Sequence, residues 1–175
     1  MIEDKFEIVK VTLSDLKVLR DISIKTFSET FSSNNNSQDM ELYLQINFSE
    51  STLSSELNSI YSEFYFLKLD DSIIGYLKLN FGKAQKEIQT DYSIEIERIY
   101  VSQEFHNRKL GEELLHTAIR IANSRHCDFI WLAVWEHNLK AIRFYKKHGF
   151  IEFDKHNFQL GSESQTDIMM KRMLK

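Results

Sequence analysis

"VSQEFHNRKLGEELLHTAI", residues 101–119, begins as the end of a strand and finishes as an amphipathic helix. The junction between the two decides the fold. It carries His106, Arg108 and Lys109, and its one glycine is Gly111. The first turn of a helix has free N–H groups and the positive end of the helix dipole, so it attracts anions, and the basic side chains add charge beside it. Gly111 removes a side chain where a ligand would approach backbone. Glu112 and Glu113 suit the dipole but have to face away from any phosphate held there. Many surface helices start after basic residues, so the turn acquires meaning from what surrounds it.

Upstream, "SIEIERIYV" (93–101) alternates as a strand does, and downstream Leu110, Leu114, Ala118 and Ile121 trace an apolar helical stripe. "FIWLAVW" (129–135) is a continuous apolar run, the pattern of a strand covered on both faces. "NLKAIRFYKKHG" (138–149) is a short helix with Asn138 at its start, Lys146, Lys147 and His148 in its last turn and Gly149 ending it. Nearer the start, "FEIVKV" (6–11) is a strand, and Leu16, Leu19, Ile22 and Phe27 recur at helical spacing after a cap at Ser14. Residues 32–38 form a polar loop, followed by short helices in "DMELYLQINF" (39–48) and "LSSELNSIY" (53–61). "EFYFLKL" (63–69) and "IIGYLKLNF" (73–81) flank a hairpin turn, and the charged, aperiodic 82–91 reads as a surface loop. "FIEFDKHNFQL" (150–160) and "TDIMMKRML" (166–174) close the chain as a strand pair around a turn at Gly161. With no proline, the turns rest on Gly, Asn, Asp and Ser. The order of elements predicts one α/β domain over residues 1–175 with a mixed sheet.

Composition narrows the function. A formal charge of −4 argues against a nucleic-acid binder. Cys127 is the one cysteine, which excludes an intrachain disulfide and a multi-cysteine zinc site; before an apolar strand it is expected to be a small buried hydrophobe. The six histidines show no helical i, i+4 pair, so no metal is expected. No basic segment followed by an apolar run opens the chain and no apolar stretch approaches 18 residues, so the expectation is a cytoplasmic protein with no membrane partner. Thirteen phenylalanines can fill a core or a homodimer interface, and that choice stays open.

Asn138, Ala141, Ile142 and Tyr145 fall at i, i+3, i+4 and i+7, so one helical face carries an amide, a small residue and a phenol. Together, "ERIYVSQEFHNRKLGEELL" and "NLKAIRFYKKHGF" resemble the GCN5-related N-acetyltransferase (GNAT) superfamily. Its pattern is a strand, a Q/R-x-x-G-x-G/A turn into a helix, a second strand, then N-x-x-A-x-x-x-Y and a closing Gly-Phe. "SIKTFSETF", "DMELYL", "IWLAVWEHN" and "QTDIMMKRML" look like the bacterial polyamine acetyltransferases of the PaiA type, which act on spermidine and spermine. Two positions depart from the pattern: His106 stands for its Gln or Arg, and Lys109 for its first glycine. If residue 109 needs a positive φ, its Cβ costs on the order of 1–2 kcal/mol.

The resemblance implies a sheet of about seven strands with helices on both faces, the fourth and fifth strands splayed apart. It implies acetyl-CoA as donor, its pantetheine arm along Ile99, Tyr100 and Val101, and its diphosphate on Asn107, Arg108, Lys109, Leu110, Gly111 and Glu112. Asn138 and Tyr145 would close the other side. Transfer of acetyl to a primary amine, most simply a polyamine, needs a base, with Glu97 the first choice and Glu95 in reserve, and an acid, Tyr145. Arg98, on the opposite strand face by alternation, is assigned a structural role. The acceptor pocket is expected between the 27–47 helices and the Gly161 turn, with Glu29, Asp39 and Glu41 as cation partners. The competing expectations are a protein or peptide N-acetyltransferase and a non-catalytic acyl-CoA-binding regulator.

Overall fold

The structure is a computed structural model that describes residues 6–160 and 163–175; the turn expected at Gly161 lies outside them. Seven strands form one sheet: β1 (Phe6–Lys10), β2 (Ser62–Leu69), β3 (Ser72–Phe81), β4 (Ser93–Val101), β5 (Phe129–Trp135), β6 (Ile151–Leu160) and β7 (Glu163–Met173). Their order is β1-β2-β3-β4-β5-β7-β6, antiparallel except where β4 and β5 run side by side in parallel. The helices are α1 (Leu16–Phe31), α2 (Ser37–Asn47), α3 (Glu50–Asn58), α4 (Leu110–Ser124) and α5 (Leu139–Lys147).

Two cores sandwich the sheet. On one face, Leu114, Leu115 and Ala118 of α4 and Ile142 and Tyr145 of α5 pack on Leu77, Leu79, Ile130 and Leu132. On the other, Leu19, Ile22 and Phe27 of α1 and Leu53 of α3 pack on Phe64, Phe66 and Tyr76. Burying such side chains is worth about 1.5–3 kcal/mol each. Cys127 is buried, 3% exposed. Among the described residues no helix is long and apolar enough to cross a membrane.

Three local expectations need correction. The first helical turn begins at Leu13 in 3-10 form, and Thr12 rather than Ser14 opens it: the Thr12 N–H and hydroxyl both donate to Asp15 Oδ2, at 2.9 and 2.8 Å. The segment 82–91 is not a plain surface loop. Gln85 is 1% exposed; its Oε1 accepts from Ser93 Oγ and Trp131 Nε1, both at 2.8 Å, and its Nε2 donates to Thr90 O at 2.8 Å. That side chain straps the loop across β4 and β5.

The third correction concerns β4. Lys78 of β3 pairs with Arg98 and Leu79 with Ile96, so Glu97 has no partner: a β-bulge. Strict alternation would put Arg98 opposite Glu97. The extra residue resets the alternation, and the Arg98 guanidinium lies 3.5 Å from Glu97 Oε1 and 5.0 Å from the Phe48 ring, on the α1 and α3 side.

Candidate active site

β4 and β5 are paired for three rungs only: Ser93 with Phe129, Ile94 with Ile130, and Glu95 with Trp131. Beyond that rung, residues 96–101 of β4 have no rung with β5, while β5 continues to pair with β7 as far as Trp135–Asp167. The bulge falls at the point of divergence, where the added twist turns β4 away. A cavity of about 590 Å³ fills the opening and runs from the turn before α4, between the strands, to α1 and α2.

At one end lies the turn quoted first. Lys109 is the N-cap of α4 with φ 61° and ψ 6°, in the left-handed region, and Asn107 also has a positive φ of 65°. The amides of Lys109, Leu110 and Gly111 donate to no acceptor among the described residues, and the first α4 bond is Glu112 N to Lys109 O at 2.9 Å. A Cβ built on Gly111 would meet nothing within 4 Å, so open space faces these amides. Glu112 is turned to Lys147, which it meets at 2.9 Å. Asn107, Lys109, Leu110, Gly111 and Glu112 all line the cavity, as do Ile99, Tyr100 and Val101. Arg108 does not; its guanidinium lies 5.7 Å from the Phe105 ring. His106 Nε2 donates to Val101 O at 2.8 Å, pinning the turn to the strand end.

Across the opening stand Asn138 and Tyr145 of α5, both lining the cavity. Asn138 Oδ1 accepts from Ala141 N at 3.2 Å, a helix cap worth about 1 kcal/mol. The Tyr145 hydroxyl makes no hydrogen bond among the described residues, and burial pushes its pKa well above the usual phenol value. It therefore keeps its proton over the whole neutral range.

Below the divergence Glu95 and Glu97 share a face and a donor: Asn80 Nδ2 reaches Glu95 Oε2 at 3.1 Å and Glu97 Oε2 at 2.6 Å. Their surroundings differ. Glu97 lies 2.5 Å from Lys78 Nζ, 3.1 Å from Lys86 Nζ and 3.5 Å from Arg98, and both Lys78 and Arg98 continue to Glu56 of α3, at 2.7 and 2.9 Å. Burial opposes its charge, but Arg98, Lys78 and Lys86 overrule that and hold the carboxyl far below the usual range. Glu95 is 3% exposed and receives the Lys86 N–H at 3.0 Å on Oε2, while Oε1 accepts nothing among the described residues. Burial, followed by the charge of Glu97, raises its pKa.

The far end is walled by Phe27, Phe31, Tyr43 and Trp135, with His156 and Asp167 on the sheet. Glu29 lines the cavity too, with Oε2 accepting from Gln103 N at 2.9 Å. Asp39 and Glu41 lie outside it, which corrects their expected place in the pocket. Sequence reading missed Lys86, Asp167 and His156: Lys86 and His156 belong to segments with no motif, and the resemblance of 165–174 gave Asp167 no role, so the fold alone brings them in. Among the described residues no group of three or more His, Cys, Asp or Glu side chains could hold a metal.

Comparison with known proteins gives the arrangement its relatives. An uncharacterized N-acetyltransferase of Lactobacillus delbrueckii subsp. lactis is 39% identical over 168 residues, covering 96% of this chain and 97% of that protein. The spermidine N(1)-acetyltransferase of Thermoplasma acidophilum is 24% identical over 148 residues, 82% of this chain and 87% of that one. Among solved structures, the PaiA N-acetyltransferase of Thermoplasma acidophilum in complex with coenzyme A superposes with a TM-score of 0.79 at 21% identity, covering 97% of this chain and 99% of the other. The model of the acetyltransferase (GNAT) family matches residues 19–150, most of the chain, including β4, α4, β5 and α5, which frame the cavity. With that match joined to the forked sheet and the amide-lined turn, the chain belongs to the acetyltransferase (GNAT) family of N-acetyltransferases.

Proposed function

We propose that the protein transfers acetyl from acetyl-CoA to a primary amine of a polyamine such as spermidine or spermine. The observation that carries this reading is the fork itself: the β5-facing edge of β4 from Ile96 to Val101, which has no rung with β5, with the free amides of Lys109 to Gly111 at one end and Glu95 at the other. A pantetheine arm is an extended chain with amides of its own, and the open edge of β4 offers it a ladder. The turn before α4 suits a diphosphate, with Lys109 adding a cation. Asn138 and Tyr145 face the arm from α5.

Acetyl-CoA, when bound, supplies an activated acyl carbon and a thiol as leaving group. The protein's part is to move two protons. An alkylammonium has a pKa near 10.4, so presenting it as the free amine at pH 7 costs about 4.6 kcal/mol. The amine nitrogen forms its bond to the acyl carbon as the C–S bond breaks; the amine proton passes to a carboxylate and the thiolate takes the Tyr145 proton. A general base works best with a pKa near the working pH. By that criterion we assign the base to Glu95, reversing the order expected from sequence position. Its pKa is raised, it lines the cavity and its Oε1 accepts nothing among the described residues, whereas Glu97 is committed to three cations. Tyr145, protonated throughout, fits the acid.

The polyamine assignment is supported by the named activity of the Thermoplasma relative and by carboxylates inside an aromatic-walled pocket. It is tested by thiol release from acetyl-CoA with spermidine, spermine, diamines, amino acids and short peptides. Turnover of spermidine without turnover of peptides is expected; turnover of peptides alone would overturn the assignment.

A further inference from the structure

On the α1 side of the cavity, one carboxylate stands outside the mechanism. Asp167 of β7 is opposite Trp135 on β5, and Glu95 of β4 is opposite Trp131 on the same strand. Trp131 and Trp135 have the same parity, and directly paired residues share a face, so both carboxyls stand on one side of the sheet. Four residues of β5 separate their rungs, about 13 Å of rise. Asp167 lines the cavity, its side chain 15% exposed, and its carboxyl makes no hydrogen bond among the described residues. His156 Nε2 stands 3.7 Å from it, beyond bonding distance. The other ring nitrogen of His156 lies 3.8 Å from Glu87 Oε1 and is buried without a partner. Three polar groups from three elements thus face one another across gaps that none of them closes. Trp135 and Phe31, with ring centroids 6.4 Å apart, wall the same side with aromatic surface.

A half-buried carboxylate with unfilled acceptor capacity is costly to the extent that nothing donates to it. An aromatic wall beside it attracts a cation through the ring quadrupole. Lys86, Lys78 and Arg98, which surround Glu95 and Glu97, are committed elsewhere: Lys86 to Glu97 at 3.1 Å, and Lys78 and Arg98 to Glu56. The vacant partner is therefore a donor brought by the ligand.

Resting on the polyamine reading above, we propose that Asp167 is a specificity-determining residue that holds the distal ammonium of the acceptor while its other nitrogen reacts at Glu95. Trp135 and Phe31 line the methylene chain, and Glu87 and His156 complete the polar end. The acceptor is then selected as a long α,ω-diamine: the near carboxylate sees the nitrogen that loses a proton, and the far one sees a nitrogen that keeps its charge. Asp167 touches no reacting atom, so its substitution alters choice between acceptors rather than chemistry.

The test compares 1,8-diaminooctane with octylamine, which has the same chain and lacks the second ammonium, in the wild type, Asp167→Asn and Asp167→Glu. The readouts are kcat/KM for each amine and calorimetric binding of each to the protein saturated with CoA. The wild type should favour the diamine. Asp167→Asn should lower the diamine-to-octylamine ratio of kcat/KM at least about tenfold, the scale of one lost charge-assisted hydrogen bond, and weaken diamine binding by a similar factor. Asp167→Glu should restore part of the ratio. Equal use of both amines by the wild type, or an equal fall for both in Asp167→Asn, overturns the inference and leaves the amine-acetyltransferase reading standing. Acetylation of neither amine by an enzyme that turns over spermidine overturns the inference alone; no turnover of spermidine either overturns both.

Discussion

Replacing Glu97 by Gln and Glu95 by Gln should separate stability from turnover, although the two carboxyls share one amide donor. Glu97 is 7% exposed and meets three cations; Gln keeps the Asn80 contact but removes the charge. Breaking a buried ion pair costs about 3–5 kcal/mol because it strands the partner. Lys78 and Arg98 keep Glu56, and Lys86, with a side chain 53% exposed, can turn to water, so the low end of about 3 kcal/mol applies. In a domain of this size that lowers Tm by roughly 6–12 °C. The pH dependence gives a second signature. Burial disfavours the Glu97 charge, but Arg98, Lys78 and Lys86 depress its folded pKa below the unfolded value of 4.5. Its stabilisation is therefore complete above that value and lost as pH falls through and below it. Urea unfolding at pH 7 and pH 4 should find the wild type and Glu97→Gln well apart at pH 7 and closer at pH 4. Glu95→Gln should leave the urea midpoint within about 1 kcal/mol, since one oxygen has no partner to lose, yet lower turnover by about 10²–10⁴, the scale of a lost general base. The reasoning fails if Glu97→Gln costs less than 1 kcal/mol at pH 7 or if, in folded protein at low temperature, Glu97→Gln is inactive and Glu95→Gln is not.

Tyr145→Phe should lower kcat by about 10²–10⁴ while calorimetry finds CoA affinity within a few fold of wild type, because no hydrogen bond among the described residues is lost with the hydroxyl. Undiminished kcat, with chemistry shown to limit the rate, would remove Tyr145 from the acid role. Lys109→Gly relieves a left-handed Cβ worth about 1–2 kcal/mol and adds unfolded-chain freedom worth about 0.5–1 kcal/mol, so thermal melts should give a net gain of up to roughly 1 kcal/mol. The same change removes a cation from the turn, so affinity for CoA should fall and depend less steeply on salt. A variant that melts lower would mean that the lysine side chain supports the fold.

What was legible in the sequence was what local pattern encodes. The apolar run 129–135 became β5 and the stripe from Leu110 became α4, because both signals arise from which face meets the core. The basic turn also announced itself, but the positive φ at Lys109 was only a condition in the sequence and is a finding of the structure. The bulge did not. "SIEIERIYV" alternates cleanly, and only its pairing with β3 reveals that Glu97 is surplus, so Arg98 could not be assigned its face from one strand alone. Nor did the charges around Glu97, since Glu56 comes from α3, Lys78 from β3 and Lys86 from a segment whose polarity imitates solvent exposure. Gln85 looks like any loop glutamine until Trp131 and Ser93 are folded against it.

That glutamine spans the last rungs before the sheet divides. By tying Ser93 on one strand to Trp131 on its neighbour, it acts as a rivet at the crotch of a split plank: the gap can neither run deeper nor zip shut without tearing two buried bonds. The slot therefore stands ready before any cosubstrate arrives. Loading should follow simple second-order kinetics with no slow opening phase, and the heat of association should carry no large contribution from rearranged strands.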